Sequence, residues 1–550
     1  MKKAKLLCGA CLTALMSATA LTACGGGGNN GADKYDKNGR LILNLRNVYF
    51  ETWQGEDNYT EILNEKFGVK IKATNYSYSS WDTQVGTAVN GNNLTDSIQY
   101  NLKAYNFGSS YEKWVDIGIL KPLPDNLSKW PEIQKLLNNT SNIDYLKING
   151  KLYGIPIAND INNPTKDFSN MTYVYRRDWA KQIDEMNKNT AGWTNVYKEG
   201  DVYTWEEFNR LLTAFKTNIK TLSGTDKADV LVDEAWGFPS VANFYKSAPH
   251  CYTKDSSGKA INAFTSPEYL EGLKVAKQLV QDKIYSPDQC NWKEEGGDAT
   301  TNYLGGKAAV LYDNFSFSNY LKLRTNFKNQ RKPASVDALN DGTAFLKVKG
   351  PDGKFALENT ENWFSMTMFN YKISDTKLEK ILDVINYLLT DEGTRLAIYG
   401  QEGYDYTRDA VTGEITLNEM SWEKNINTGE YAPKTNGAKY LRYMATLGND
   451  TKSYDPYTDL TAYNLFTSWN DEMKAAKQAD QLRIVVEPAD ISWMSTPTKN
   501  DKTKGLLANS KLKASDFCYG SLSEDKYVSE VEKLDGYSKA IEEINTKLGK

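Results

Sequence analysis

Between Leu41 and Tyr100 the spacing of apolar residues keeps switching between two periods, and that alternation limits what the chain can fold into. Leu41, Leu43 and Leu45 alternate with Ile42, Asn44 and Arg46, the two-residue period of a strand. Asn58 to Phe67 has helical spacing and stops at Gly68, a residue suited to closing a helix. Val69, Ile71 and Ala73 predict a second strand, Trp81 to Val89 a second helix ending at Asn90-Gly91, and Leu94 to Tyr100 a third strand. Strand–helix–strand–helix–strand with short links predicts a parallel sheet with right-handed crossovers. Ligands of such sheets lie beyond the carboxyl ends of the strands. Tyr49 to Glu56 and the pair Tyr100-Asn101 therefore fall on one functional edge.

Upstream, Lys2, Lys3 and Lys5 precede a short apolar run from Leu6 to Leu21, the pattern of a secretory signal. The run is interrupted by Gly9, Thr13, Ser17 and Thr19 and is short of the roughly 20 apolar residues a membrane span needs. Leu21-Thr-Ala-Cys24 resembles a bacterial lipobox, which implies cleavage after residue 23 and lipidation of the Cys24 thiol, with palmitate among the acyl groups. The rival reading is an ordinary signal peptide with an incidental cysteine. The small residue before Cys24 and the glycines from Gly25 to Gly28 favour the lipoprotein. Residues 24–38 carry few apolar anchors and read as a flexible tether.

At 550 residues the chain is too long for one core and calls for at least two domains. The formal charge is −4, and loss of Lys2, Lys3 and Lys5 leaves −7, which argues against a nucleic-acid partner. A single histidine, His250, excludes most histidine-driven hydrolysis and most zinc sites. Enzymes run by paired carboxylates pass this filter, so a lipoprotein glycosidase stays open as the alternative function, although no catalytic pair stands out. After cleavage four of six cysteines remain, Cys24, Cys251, Cys290 and Cys518, and spacing alone leaves open whether Cys251 pairs with Cys290. No phosphate-binding, dinucleotide or calcium-loop motif is present, so no cofactor and no metal are expected. The 35 tyrosines and 13 tryptophans serve either the core or stacking against sugar rings, and composition does not separate the two.

Further along the chain a series of segments is similar, in the same order, to the extracellular solute-binding proteins that feed ABC importers. They are Gly118-Ile-Leu-Lys-Pro-Leu, Asn149-Gly-Lys-Leu-Tyr-Gly-Ile-Pro, Tyr173-Val-Tyr-Arg-Arg-Asp-Trp179, Tyr203-Thr-Trp-Glu-Glu-Phe208, Gly305-Gly-Lys-Ala-Ala-Val-Leu-Tyr-Asp313 and Asn386-Tyr-Leu-Leu-Thr-Asp-Glu-Gly393. The resemblance is to family 1, the maltose-binding group, in its longer lipoprotein branch. It implies an α/β, two-lobed periplasmic-binding-protein-like fold of class II, each lobe a mostly parallel sheet flanked by helices, with a cleft between them. The implied division is 1–23 signal, 24–38 tether, 39–158 with 314–370 as lobe 1, and 159–313 with 371–550 as lobe 2. The strand ending at Asp313 would cross back to the first lobe. The implied function is not enzymatic: hinge closure on a small molecule, expected to be an oligosaccharide, and delivery to ABC permease subunits. The expected protein is a monomer that touches the membrane only through its lipid, on the extracellular face.

Candidate ligand residues are aromatic rings and bidentate polar groups at strand ends and lobe junctions. Trp53 follows strand one, Tyr100 ends strand three, and Asp160 follows the Gly-Ile-Pro strand. Arg176 follows Tyr-Val-Tyr, Trp236 sits beside Gly237 and Pro239, and Asp313 ends the Ala-Ala-Val-Leu-Tyr strand. Trp363, Tyr404 and Asp405 complete the set. For each ring the competing role is packing, and for each charge a turn or a surface ion pair.

Overall fold

A computed structural model of the protein describes residues 33–550 except 51, 78–79, 103–106, 159–170, 235–236, 247–250, 287, 290–297, 359–361, 411–414, 419–420, 425–430, 434, 448–459, 486–487 and 500–503. The signal segment, Cys24, Asp160, Trp236, His250 and Cys290 lie outside the described residues.

Two lobes, each with its own core, hold the larger sheets of the described residues. The first lobe contains the two-stranded sheet of β1 (Leu41–Asn47) and β2 (Val69–Asn75), and beside it a four-stranded sheet of β3 (Ser97–Tyr100), β4 (Leu120–Lys121), β5 (Gly154–Ala158) and a strand from much later in the chain, Trp363–Asn370. The second contains β6 (Met171–Tyr175), β7 (Val202–Tyr203), β8 (Asp229–Asp233), β11 (Ala308–Asn314) and β12 (Ala344–Val348). Between β8 and β11 lies the hairpin β9 (Tyr252–Lys254) and β10 (Ala260–Asn262); β13 (Phe355–Glu358) pairs with Leu482–Val485, and the late strand is β14.

β1 alternates buried and half-buried residues along its whole length and pairs parallel with β2. Its other edge meets β3 through side chains: the Asp96 carboxylate accepts from Asn44 N at 2.6 Å, and Gln99 Oε1 accepts from Val48 N at 2.7 Å. In the second sheet the order is β7-β12-β6-β11-β8, with β11 parallel to β8 and antiparallel to β6. Each sheet has one strand opposed to its neighbours, β14 in the first and β6 in the second. Helix starts follow local chemistry. Thr204 and Glu207 form a complete capping box ahead of Trp205–Ser223, and Thr390 caps Asp391–Tyr399.

Three sequence expectations are corrected here. The tether does not extend to residue 38: Asp33 accepts from the Ser374 hydroxyl, Ile42 N donates to Lys34 O, and Tyr35 bridges to Leu41. Residues 33–38 are thus part of the first lobe. The strand ending at Asp313 does not return to the first lobe but lies inside the second sheet, between β6 and β8. The lobe bounds move accordingly. Residues 317–358 pack and pair with the second sheet, while β14 and the helices Asp375–Leu389, Asp391–Tyr399 and Gly437–Arg442 share the first lobe's core. From Leu460 the chain is again in the second lobe, where Ala462, Phe466, Trp469 and Met473 meet Phe345 and Phe355. The described chain thus passes from lobe to lobe between Ala158 and Met171, between Glu358 and Asn362, and between Leu447 and Leu460.

One glycine shows how tightly the late strand is set into the first lobe. A Cβ on Gly154 would sit 2.4 Å from Thr367 O on β14, backbone that cannot swing aside. Gly154→Ala is expected to destabilise the protein by about 1–3 kcal/mol through overpacking. Chemical denaturation followed by circular dichroism would measure this.

Candidate functional site

β1 and β3 end where β5 ends and β14 begins, beside the passages to the second lobe. β8 and β11 end where β6 begins, at the same passages. Both edges thus lie at the sheet ends where the chain changes lobe.

On the first edge, the fully buried Asn47 holds two chain segments together. Its Oδ1 accepts from Tyr49 N at 2.8 Å, and its Nδ2 donates to Tyr443 O at 3.3 Å. The rings of Tyr49 and Tyr443 meet at 5.8 Å, Tyr443 contacts Tyr440 at 6.3 Å, and Tyr440 stacks on Trp53 at 5.5 Å and 15°. Phe50 closes the row edge-on to Trp53 at 5.1 Å. Tyr49, Tyr440 and Tyr443 are half-buried, so the row has an accessible side. That side suits the apolar face of a ring-shaped ligand.

The second edge is acidic. Glu234 Oε1 accepts from Thr300 N at 3.0 Å and from its hydroxyl at 2.8 Å, and that hydroxyl lies 3.3 Å from Asp313 Oδ2. Burial, with Glu234 adding repulsion, pushes Asp313 up to about 6. Behind them Asp233 is fully buried and accepts from Ser240 N at 2.7 Å, Ser240 Oγ at 2.9 Å and Tyr285 OH at 2.9 Å. Burial still raises it to about 7, and Asp229 at the far end of β8 to about 6.

The predicted residues divide by strand direction and burial. Asp313 lies on the acidic edge with Thr300 and Glu234. Arg176 does not: β6 starts at the hinge and runs away from it, so Arg176 sits by Ala309 at the opposite end of the sheet. There it pairs with Asp178 and lies 4.1 Å over the Trp179 ring. Trp53 is 4 % exposed, with its indole N–H on Asp57 at 2.6 Å, so it backs the aromatic row instead of presenting a face. Trp363, 1 % exposed, is likewise taken by packing, stacked on Trp493 at 5.3 Å with its N–H on Ser141 O. Tyr100 is buried against Trp114 at 4.9 Å, its hydroxyl on Asp82.

Asp405 is buried and holds Gln401 N and Tyr59, whereas the neighbouring Tyr404 is 65 % exposed. Glu234, Thr300 and Tyr443 were missed. A helix start at Asp298 and a carboxylate next to a strand end were the only local signals for the first two. Tyr443 reaches the site from a distant segment. Cys251 and Cys518 are buried, and the Cys251 sulfur accepts from Asn262 Nδ2 at 3.1 Å. Among the described residues no group of three or more His, Cys, Asp or Glu side chains could hold a metal, and no helix is long and apolar enough to cross a membrane.

Two α/β lobes between which the chain passes repeatedly are the fold seen in solute-binding proteins. Comparison places the fold in that class. An extracellular solute-binding protein from Bifidobacterium longum subsp. infantis superposes with a TM-score of 0.64 at 13% identity, over 94% of this chain and 97% of that one. The S. pneumoniae ABC-transporter substrate-binding protein FusA, solved in complex with kestose, gives 0.58 at 14% identity over 92% and 99%. In sequence, Lipoprotein LipO of Bacillus subtilis (strain 168) is 23% identical over 375 residues, covering 65% of this chain and 66% of that protein, just under two thirds of its length. No protein-family profile matches the chain.

Two outcomes are expected. Asp57 accepts from Trp53 Nε1, Tyr59 N, Thr60 N, Thr60 Oγ1 and Gly437 N. Asp57→Ala removes a helix cap and leaves buried donors unpaired, so thermal unfolding should show a loss of about 2–4 kcal/mol. The raised carboxyls set a pH dependence. An unfolded carboxyl titrates near pH 4, so from there to about pH 7 the folded chain binds more protons than the unfolded one. The stability contributed by Asp229, Asp233 and Asp313 therefore falls as pH rises through that window. The melting midpoint should be higher at about pH 5.5 than at about pH 8, with a smaller difference in Asp313→Asn.

Proposed function

We propose that the protein is a lipid-anchored solute-binding protein that captures an oligosaccharide between its lobes and delivers it to the permease of an ABC importer. The observation that carries this reading is the pairing of edges, one with half-buried tyrosine rings and the other with carboxylates suited to sugar hydroxyls. A similar fold was solved with kestose bound to FusA, which supports the ligand class. Closure follows if the ligand contacts both edges only when the lobes meet, because it then shifts the population toward the closed form. Trp236, next to Glu234, and Asp160, next to β5, are assigned to the same cleft from their sequence positions. Lipidation of Cys24, supported by Leu21-Thr-Ala-Cys24 and by the likeness to LipO, holds the trap on the extracellular face of the membrane. Neither cofactor nor nucleic acid enters this function, and the working unit is a monomer.

Calorimetric titration of the purified protein with kestose and a panel of longer oligosaccharides, while product is followed chromatographically, tests the proposal. Binding without turnover is expected; sugar cleavage would replace it with the glycosidase alternative. Tyr49→Ala and Tyr443→Ala should each weaken binding by about 1–3 kcal/mol, the size of a lost aromatic anchor. Mass spectrometry of the membrane fraction should find acyl groups on Cys24.

A further inference from the structure

Residues 488–499 belong to the second lobe by their fastenings yet reach into the first. Asp490 pairs with Lys254 on β9, and Ile491 is buried in the second lobe's core. Thr498 donates to Glu543 through its N and its hydroxyl, both at 2.8 Å, and Lys547 holds Ser495 O at 2.7 Å. Lys499 closes the turn by donating to Ser492 O at 2.9 Å and Met494 O at 3.1 Å. The single helical turn Ala489–Ser492 gives the segment two faces. Asp490, Ile491 and Met494 face the second lobe, whereas Ala489 and Trp493, four residues apart and so on one side, pack into the first.

Trp493 is 6 % exposed and stacks on Trp363 at 5.3 Å and 19°. Trp363 opens β14 directly after one passage between lobes and pairs with Ala158, directly before another. Ser495 also bonds to Glu112 on the first-lobe helix Phe107–Asp116, with Lys547 nearby. An aromatic stack and a polar contact thus join the lobes at the base of two passages.

We propose that residues 488–499 are a non-covalent strap that sets the angle between the lobes, with Trp493 and Trp363 as its positioning residues. Neither ring has a face left for a ligand, and their role is to limit how far the hinge swings. The consequence for affinity rests on the capture reading above, but the angle itself can be measured without any ligand, so either can fail alone.

The test is a spin-label distance measurement on the full mature chain carrying Cys24→Ser and Cys290→Ser. The labels go on the exposed positions Gln134→Cys in the first lobe and Lys216→Cys in the second. In Trp493→Ala the interlobe distance distribution should broaden at least about twofold, and Trp493→Phe, which keeps a ring on Trp363, should restore most of the native width. A natively folded Trp493→Ala chain with unchanged width would overturn the strap, as would a Phe variant as broad as the Ala variant. Should Trp493→Ala not fold, Ser495→Ala, which cuts only the Glu112 contact, decides: a broadened distribution supports the strap and a native one refutes it.

Discussion

A strand that enters a lobe from the hinge must start at the cleft and run away from it, and the layout of both lobes depends on this. β6 follows the first passage and β14 the second, and these are the strands opposed to their sheets. The others, β1, β3, β8 and β11, run the opposite way and end where the chain changes lobe. Asp313 and Arg176 illustrate the rule. Both follow apolar strands of similar composition, and they end at opposite poles of one sheet because β11 and β6 are antiparallel.

The aromatic load is explained mostly by packing with a polar handle. Trp81 Nε1 donates to Gln99 O at 2.9 Å, Tyr111 OH to Leu146 O at 2.9 Å, and Trp130 Nε1 to Asp383 at 2.8 Å. Each ring covers a large apolar area while its N–H or O–H finds a carbonyl or carboxylate acceptor on a neighbouring element. Phenylalanine fills the same volume without that second service. In the second lobe Phe345 lies between a tilted Tyr320 at 4.4 Å, whose hydroxyl donates to Thr343 O, and a stacked Trp469 at 5.5 Å. The rings of the first-lobe row, Tyr49, Tyr440 and Tyr443, are by contrast only half-buried.

Local periodicity was a sound guide to local structure. The strand at Leu41, the helix capped by Gly68 and the helix opened by Thr204 lie where apolar spacing and caps put them. The α/β two-lobed class was legible because these signals recur in a fixed order. Strand direction and lobe membership were not, since both depend on which distant segment supplies a partner. Trp53 could be placed after strand one, but not its packing partner, because Tyr440 comes from nearly four hundred residues away to stack on it. Trp363 was legible as a ring near the cleft, while its occupant, Trp493, arrives from the carboxyl-terminal extension. In the candidate site, single carboxylates at strand ends could be read, but the sharing of Thr300 by Glu234 and Asp313 needed the fold.

Capture by closure demands a hinge that is neither locked nor loose. Moving a two-state balance from mostly open to mostly closed takes about 5.5 kcal/mol of differential ligand binding. An aromatic pair contributes about 0.5–1.5 kcal/mol beyond the area it buries. A strap of one stacked pair and one polar contact is therefore large enough to bias the lobe angle and small enough for a ligand to outweigh it. Its placement strengthens that balance. Trp363 lies where β14 and β5 meet the passages, so a small rotation there becomes a large displacement at the tyrosine row and the acidic edge. Packed interiors convert such small shifts into discrete states, because interdigitated rings slide poorly. A two-lobed chain with no such contact would spend its ligand's binding energy on ordering the lobes. With Trp493 seated, part of that ordering is already present in the unliganded fold, and more of the interaction energy appears as affinity.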